Sequence, residues 1–221
     1  MDAVIQACPG EKMRILKRKI ASFLAAVALV IGAHSTSQAE GLDLALSDDT
    51  ANLFVILNPF SPRSNLPLGG VRDRAPRGSE LALGGFVNEA GDNLFHATIM
   101  ARGVNRAGGT QYKLGAGMKL VGGDLDVDET VSALALGFQT SVLLANTNTN
   151  PIDFTFEGFY APGITSFSDA LSYTELAARL QVEIIGQARA YVGYRRLTFE
   201  TNDFGDQRLD RGVHIGLNIT F

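Results

Sequence analysis

Apolar residues recur at every second position along most of the chain beyond residue 40. The clearest run sets Tyr112, Leu114, Ala116, Met118 and Leu120 against Gln111, Lys113, Gly115, Gly117 and Lys119. Leu134, Leu136, Phe138 and Val142 alternate with Ala133, Ala135, Gly137, Gln139 and Ser141. Ile152, Phe154, Phe156 and Tyr160 alternate with Asp153, Thr155 and Glu157, and Leu176, Ala178, Leu180, Val182 and Ile184 with Glu175, Ala177, Arg179, Gln181 and Glu183. Successive side chains on a strand point to opposite faces, so each run predicts a strand with one greasy face and one polar or small face. A slip of one residue would exchange the faces, so the same pattern sets the register. In TELAARLQVEII, Leu176, Leu180 and Ile184 also stand at helical spacing among good helix formers. Period two holds across five outward positions there and favours a strand, with a helix as the alternative.

Further strands are expected over 80–88, 93–102 (Phe95, Ala97, Ile99 and Ala101 outward) and 188–199 (Ala190, Val192 and Tyr194 outward). Leu197 and Phe199 change parity, which predicts a bulge near Arg195 and Arg196 or an exit from the membrane. The closing strand carries Val213, Ile215, Leu217, Ile219 and Phe221 on one face and His214, Gly216, Asn218 and Thr220 on the other. Two less regular segments, 41–48 and 52–57, bring the count to ten. After Ala33 no apolar run is long enough to be a membrane helix. Short alternating segments with turn residues between them are the mark of an all-β, antiparallel up-and-down transmembrane β-barrel. Such barrels have even strand numbers, so eight or ten are allowed and ten is favoured.

The N-terminus places that barrel in a compartment. Arg14, Lys17, Arg18 and Lys19 precede an apolar run over 20–33, and the chain then reaches Ser37-Gln38-Ala39. Charge, apolar core and small-residue exit in that order form a secretory signal peptide, with cleavage between Ala39 and Glu40. Fourteen apolar residues are short of the roughly 20 that span a bilayer. Met13 would give a more conventional start. The domain organisation is therefore a signal peptide over 1–39 and an outer-membrane barrel over 40–221. Cys8, the one cysteine, lies ahead of the signal core, so the mature chain has no disulfide. From Glu40 on there are 21 acidic and 14 basic residues, a net charge of −7, which argues against nucleic acid as a partner.

The connections suggest an orientation. Residues 185–187 make a tight turn, while 122–130, 162–172 and 201–207 are longer and belong outside the cell. The stretch 58–79, rich in proline and arginine, would then be a long periplasmic connection, a segment folded into the lumen, or the sign of a miscounted strand.

The terminal phenylalanine on an amphipathic strand resembles the signal by which the barrel assembly machinery recognises its clients. Lipid and lipopolysaccharide of the outer membrane are the other expected partners. The chain as a whole resembles the YfaZ family of outer-membrane proteins over about 41–221. The likeness rests on LDLALSDDT (42–50), FYAPGITSFSDALSY (159–173), AYVGYRRL (190–197) and GVHIGLNITF (212–221). That resemblance implies a barrel and a location, but no established activity.

With the polar faces turned inward, Lys113, Lys119, Arg179, Arg189 and Arg195 share the lumen with Asp153, Glu157, Glu175 and Glu183. A barrel of this size is about filled by its own side chains, so paired charges would plug it; an open selective channel is the alternative. Hairpin geometry about Gly186 sets Glu183 near Arg189. Asp124, Asp126, Asp128 and Glu129 look like the start of a calcium loop, but the sixth and twelfth positions are Glu129 and Ala135 rather than glycine and glutamate. A solvated acidic loop is the better reading. His96 and His214 fall on inward faces. His96-Ala97-Thr98 resembles the His-x-Ser pair of outer-membrane lipid hydrolases, with threonine in place of serine and no orienting acid evident. The expectation is a barrel that is not an enzyme, with no metal or other cofactor, structural or concerned with small solutes; a porin-like channel and a lipid-modifying hydrolase are the alternatives.

Overall fold

The computed structural model describes residues 39–57, 78–107, 110–127, 129–145 and 150–221. The signal core, the 58–77 connection and Asp128 lie outside them. The strands are β1 (Ala39–Leu46), β2 (Thr50–Leu57), β3 (Gly78–Asn88), β4 (Asn93–Ala107), β5 (Thr110–Asp124), β6 (Thr130–Ala145), β7 (Ile152–Ala161), β8 (Ser166–Ser168), β9 (Ala170–Ile185), β10 (Ala188–Thr201) and β11 (Gly205–Thr220). Ten pair antiparallel in chain order, and β1 closes on β11 with Leu44 opposite Leu217. The short β8 follows a 3-10 turn at Gly163–Thr165 and pairs with Val131–Ala133 of β6, beyond the point where β7 stops. Closure leaves no sheet edge to be solvated, which is the condition for strands to cross lipid.

The outer wall is the apolar face read from the sequence. Leu114, Leu136 and Ile215 are each more than half exposed on it, and Phe95, Phe138, Tyr160 and Val213 join them. A band of exposed leucine, isoleucine and aromatic rings around a closed sheet suits hydrocarbon rather than water. Leu136 lies near the middle of β6. Leu136→Arg should lower folding stability in lipid by about 2–4 kcal/mol, the cost of a cation on the lipid face near mid-bilayer. Urea titration of folding into vesicles, followed by far-UV circular dichroism, would read it. A loss under half a kilocalorie would place Leu136 outside the apolar band.

The segment with helical spacing is β9, bonded between β7 and β10 along its length. Elsewhere the strands overrun what alternation predicts. β4, β5, β6, β9 and β11 have 15–16 residues, against the roughly 9–11 needed to cross a bilayer. The connections expected over 122–130, 162–172 and 201–207 shrink accordingly, the last to residues 202–204. Beyond the apolar band the outer face of a strand has no need of apolar residues, so Gly205–Arg211 (GDQRLDR) pairs without alternating, although Leu209 and Asp210 are buried. At the other extreme β1 stops at Leu46, leaving Ser47 and Asp48 to the turn. β11 runs past β1, and Asn88 donates from its amide to the Leu209 carbonyl at 3.3 Å across that gap.

The parity change at Leu197 does not come from a bulge near Arg195 and Arg196. β10 continues without a bulge, and Tyr191, Arg195, Leu197 and Phe199 all face inward. The extra residue sits on β11: Leu197 faces Asp210 while Thr198 faces Arg208, so Leu209 is unpaired between them. The interior itself turns from charged to apolar toward this end. β2 pairs directly with β3, so no strand from 58–77 enters between them.

Candidate functional site

The interior has three layers along the barrel axis. At the end away from the start of β1 and the finish of β11, an apolar plug fills the lumen. Phe86, Val121, Val131, Tyr173, Leu197 and Phe199 are essentially buried there, and the Tyr173 and Phe199 rings lie 4.8 Å apart. Each lies near the same end of its strand, just before or just after a loop, so the plug caps the barrel beneath the loops.

A layer of buried ion pairs follows. Lys119 Nζ is 2.6 Å from Glu175 Oε2, with both side chains 4% exposed. Tyr173 donates its hydroxyl to the same carboxylate oxygen at 2.5 Å, and the ammonium stands 4.3 Å from the centre of the Phe159 ring. Arg195 meets Asp210 at 2.5–2.6 Å through Nη2 and Nε and lies over the Phe86 ring at 5.3 Å. Arg179 reaches Asp43 at 3.0 Å, passing the Tyr191 ring, and the Tyr191 hydroxyl donates to the other oxygen of Asp43 at 2.5 Å. That ring lies flat over its cross-strand partner Gly216, where a Cβ would come within 2.1 Å of it. Phe159 lies over Gly137 in the same way. Glycine at these inward positions is what lets aromatic rings line so narrow a wall.

Toward the end where β1 begins and β11 finishes the lumen opens. A cavity of about 280 Å³ is lined from all ten barrel strands. Arg102 pairs with Glu80 at its mouth, and Arg189 sits between Glu183 at 3.2 Å and Asp153 at 3.5 Å. Glu157 accepts from Gln139 at 3.1 Å. Lys113 forms no ion pair among the described residues. The charges therefore do not fill the barrel. Apolar side chains close one end, and the other is a polar cup.

All nine ionisable residues placed inward by the sequence line this interior. Hairpin logic brings Glu183 to Arg189, directly opposed in the β9–β10 ladder. Arg179 and Arg195, placed inward by the sequence without an assigned partner, each pair with a carboxylate from another strand, Asp43 and Asp210. Those two, with Glu80 and Arg102, were not among the expected residues. Extending the inward parity of Ala45 to Asp43, of His214 to Asp210, and of Thr98 to Arg102 would have found three of them. Val213, Ile215, Leu217 and Phe221 stand exposed on the lipid face, with Ile219 partly covered. Ala39 begins β1, paired with Leu57.

His96 is 1% exposed against Phe54, their ring centres 5.7 Å apart. Thr98 faces the same interior, so neither reaches the lipid surface that a lipid hydrolase would have to address. His214 packs edge-on to Tyr191. In the acidic loop, Asp124 accepts from the Thr130 hydroxyl at 3.0 Å, and the Asp126 amide donates to Asp92 at 2.8 Å. Among the described residues no group of three or more His, Cys, Asp or Glu side chains converges as a metal site would require.

The family described as YfaZ precursor matches residues 77–221, more than half of the chain. No curated protein matches it in sequence. A solved structure, described as a bacterial polysaccharide outer membrane secretin, is similar over 82% of this chain and 69% of its own, with 10% identity and a TM-score of 0.40.

Proposed function

We propose that this chain, which belongs to the YfaZ family, works as a non-conducting outer-membrane barrel whose lumen is a cup open to the periplasm and sealed toward the outside. In this reading residues 1–39 are a cleaved leader, the assembly machinery inserts the barrel, and both ends of the sheet stay on the periplasmic side. Lipid and lipopolysaccharide surround the apolar wall. The protein performs no catalysis and needs no cofactor; it is structural or holds a small solute.

The observation that carries the reading is the apolar plug stacked on buried ion pairs. A hydrated ion moving along the axis would have to part the Tyr173 and Phe199 rings and then cross paired charges already satisfied by each other. Planar-bilayer recording of the purified barrel should therefore give little or no steady conductance. A large, stable, ion-selective conductance would replace this reading with a porin-like channel.

A further inference from the structure

The outer rim of the barrel is charged unevenly. Among the described residues, the basic side chains that face outward at the loop end all stand on the β10–β11 hairpin: Arg196, Arg208 and Arg211. Elsewhere that rim is acidic, with Glu89, Asp92, Asp124, Asp126 and Asp169 on the other turns and strand ends. Arg196 and Arg211 are directly opposed in the ladder and both exposed. Side chains so placed start about 4.5–5.5 Å apart at Cβ, and like charges there repel. Arg208, opposite Thr198, is the next basic residue toward the turn on the same face. None of the three forms an ion pair among the described residues. Glu200 and Asp206 oppose each other one step further out, where Glu200 accepts from the Ser172 hydroxyl. The β1–β2 turn beside β11 carries Asp48 and Asp49, and Asp49 accepts from the Ser47 hydroxyl. The acids are thus set apart from the arginines, and the opposed guanidinium groups lack a counter-charge in contact.

Their height on the wall says what would supply it. Tyr194 and Val213, the opposed pair one step below, are 44% and 61% exposed and end the apolar face of this hairpin. An aromatic ring at such a boundary marks the level where hydrocarbon gives way to headgroups. One step lower Val192 faces Ile215. With Leu46, Leu180, Ala190 and Leu217 they line an apolar groove of about 530 Å³ on the lipid side of the wall. At about 3.4 Å per residue, the groove begins about 14 Å from the opposed arginines. Guanidinium groups hold phosphate through paired, charge-assisted N–H donors. A basic patch at headgroup level above an apolar groove therefore matches an amphiphile with a phosphate head and acyl tails. With the loops outward, the leaflet at that level is the one built of phosphorylated glycolipid. We propose that the outer face of β10–β11 is a specific site for one such glycolipid, its phosphate bridging Arg196 and Arg211 with Arg208 beside it, and an acyl chain lying in the groove. This rests on the orientation proposed above, not on the lumen being sealed.

The test is native mass spectrometry of the barrel purified from membranes, titrated with lipid A, with dephosphorylated lipid A and with phosphatidylglycerol. One lipid A per barrel is expected, held about tenfold or more tightly than either of the others. Arg196→Gln combined with Arg211→Gln should weaken lipid A by about tenfold or more. The same double variant should unfold at an unchanged or higher midpoint, because the repulsion between the two cations goes with them. Equal retention of lipid A and its dephosphorylated form, equal retention of phosphatidylglycerol, or an unchanged affinity in the double variant overturns the proposal. Labelling of Asp203→Cys on intact cells by a bulky aqueous reagent reports the orientation separately. A labelled barrel that ignores lipid A refutes the site alone, whereas an unlabelled one refutes the orientation and the site with it. A conducting barrel that binds lipid A refutes only the sealed lumen.

Discussion

Lys119→Met is expected to destabilise the barrel by about 3–5 kcal/mol, the cost of leaving one member of a buried ion pair alone. Methionine keeps most of the length and volume, so little of the loss comes from packing. What is lost is the one cation within salt-bridge distance of Glu175 among the described residues, whose carboxylate would then hold a full charge with the Tyr173 hydroxyl as its remaining partner among them. Lys119→Met combined with Glu175→Gln should recover part of the loss, because the amide keeps the Tyr173 contact and removes the stranded charge. Arg189→Gln is the control. Its side chain is 35% exposed and shared between two carboxylates, and solvent screening holds its contribution to about 1 kcal/mol or less. The chain has no tryptophan, so urea titrations followed by circular dichroism and heat-modifiable gel mobility are the measurements to use. Equal losses at positions 119 and 189 would show that the lumen has no dry layer.

Phe199→Ala should cost a similar amount, about 3–5 kcal/mol, by removing a fully buried ring and leaving a cavity that its neighbours cannot refill. The ring is packed against Tyr173 beneath the 202–204 turn, where the strands are tied into a closed ladder and cannot collapse inward. Phe138→Ala provides the comparison. That ring is half exposed on the outer wall, where lipid tails replace what is removed, so the loss should be far smaller. If the two substitutions cost the same, the loop end of the lumen is not a packed plug, and the sealed-barrel reading loses its main support.

The sealed end also accounts for the misleading parity of β10. A membrane barrel is read by taking apolar residues as outward, which holds while the interior is wet. At Leu197 and Phe199 the interior is itself apolar, so inward residues look like outward ones and the pattern imitates a bulge. The real bulge, at Leu209, lies where β11 has left the apolar band and alternation no longer marks the faces.

What the sequence by itself determined was most of what depends on period two: the strand character of ten segments, the apolar outer face along most of their length, and nine of the inward charges. It also reached the Glu183–Arg189 pair, because a two-residue turn makes that contact local. Only the tertiary structure decided which charges pair at longer range. Asp43 and Arg179 are 136 residues apart, and Lys119 and Glu175 are 56 apart. Their meeting depends on closure of β1 against β11 and on the stagger of the strands around the barrel, neither of which leaves a mark on any single strand. Closure likewise decided that the loop end is plugged and the opposite end hollow. Alternation says which way a side chain points, but the space it points into exists only once ten strands have been rolled together.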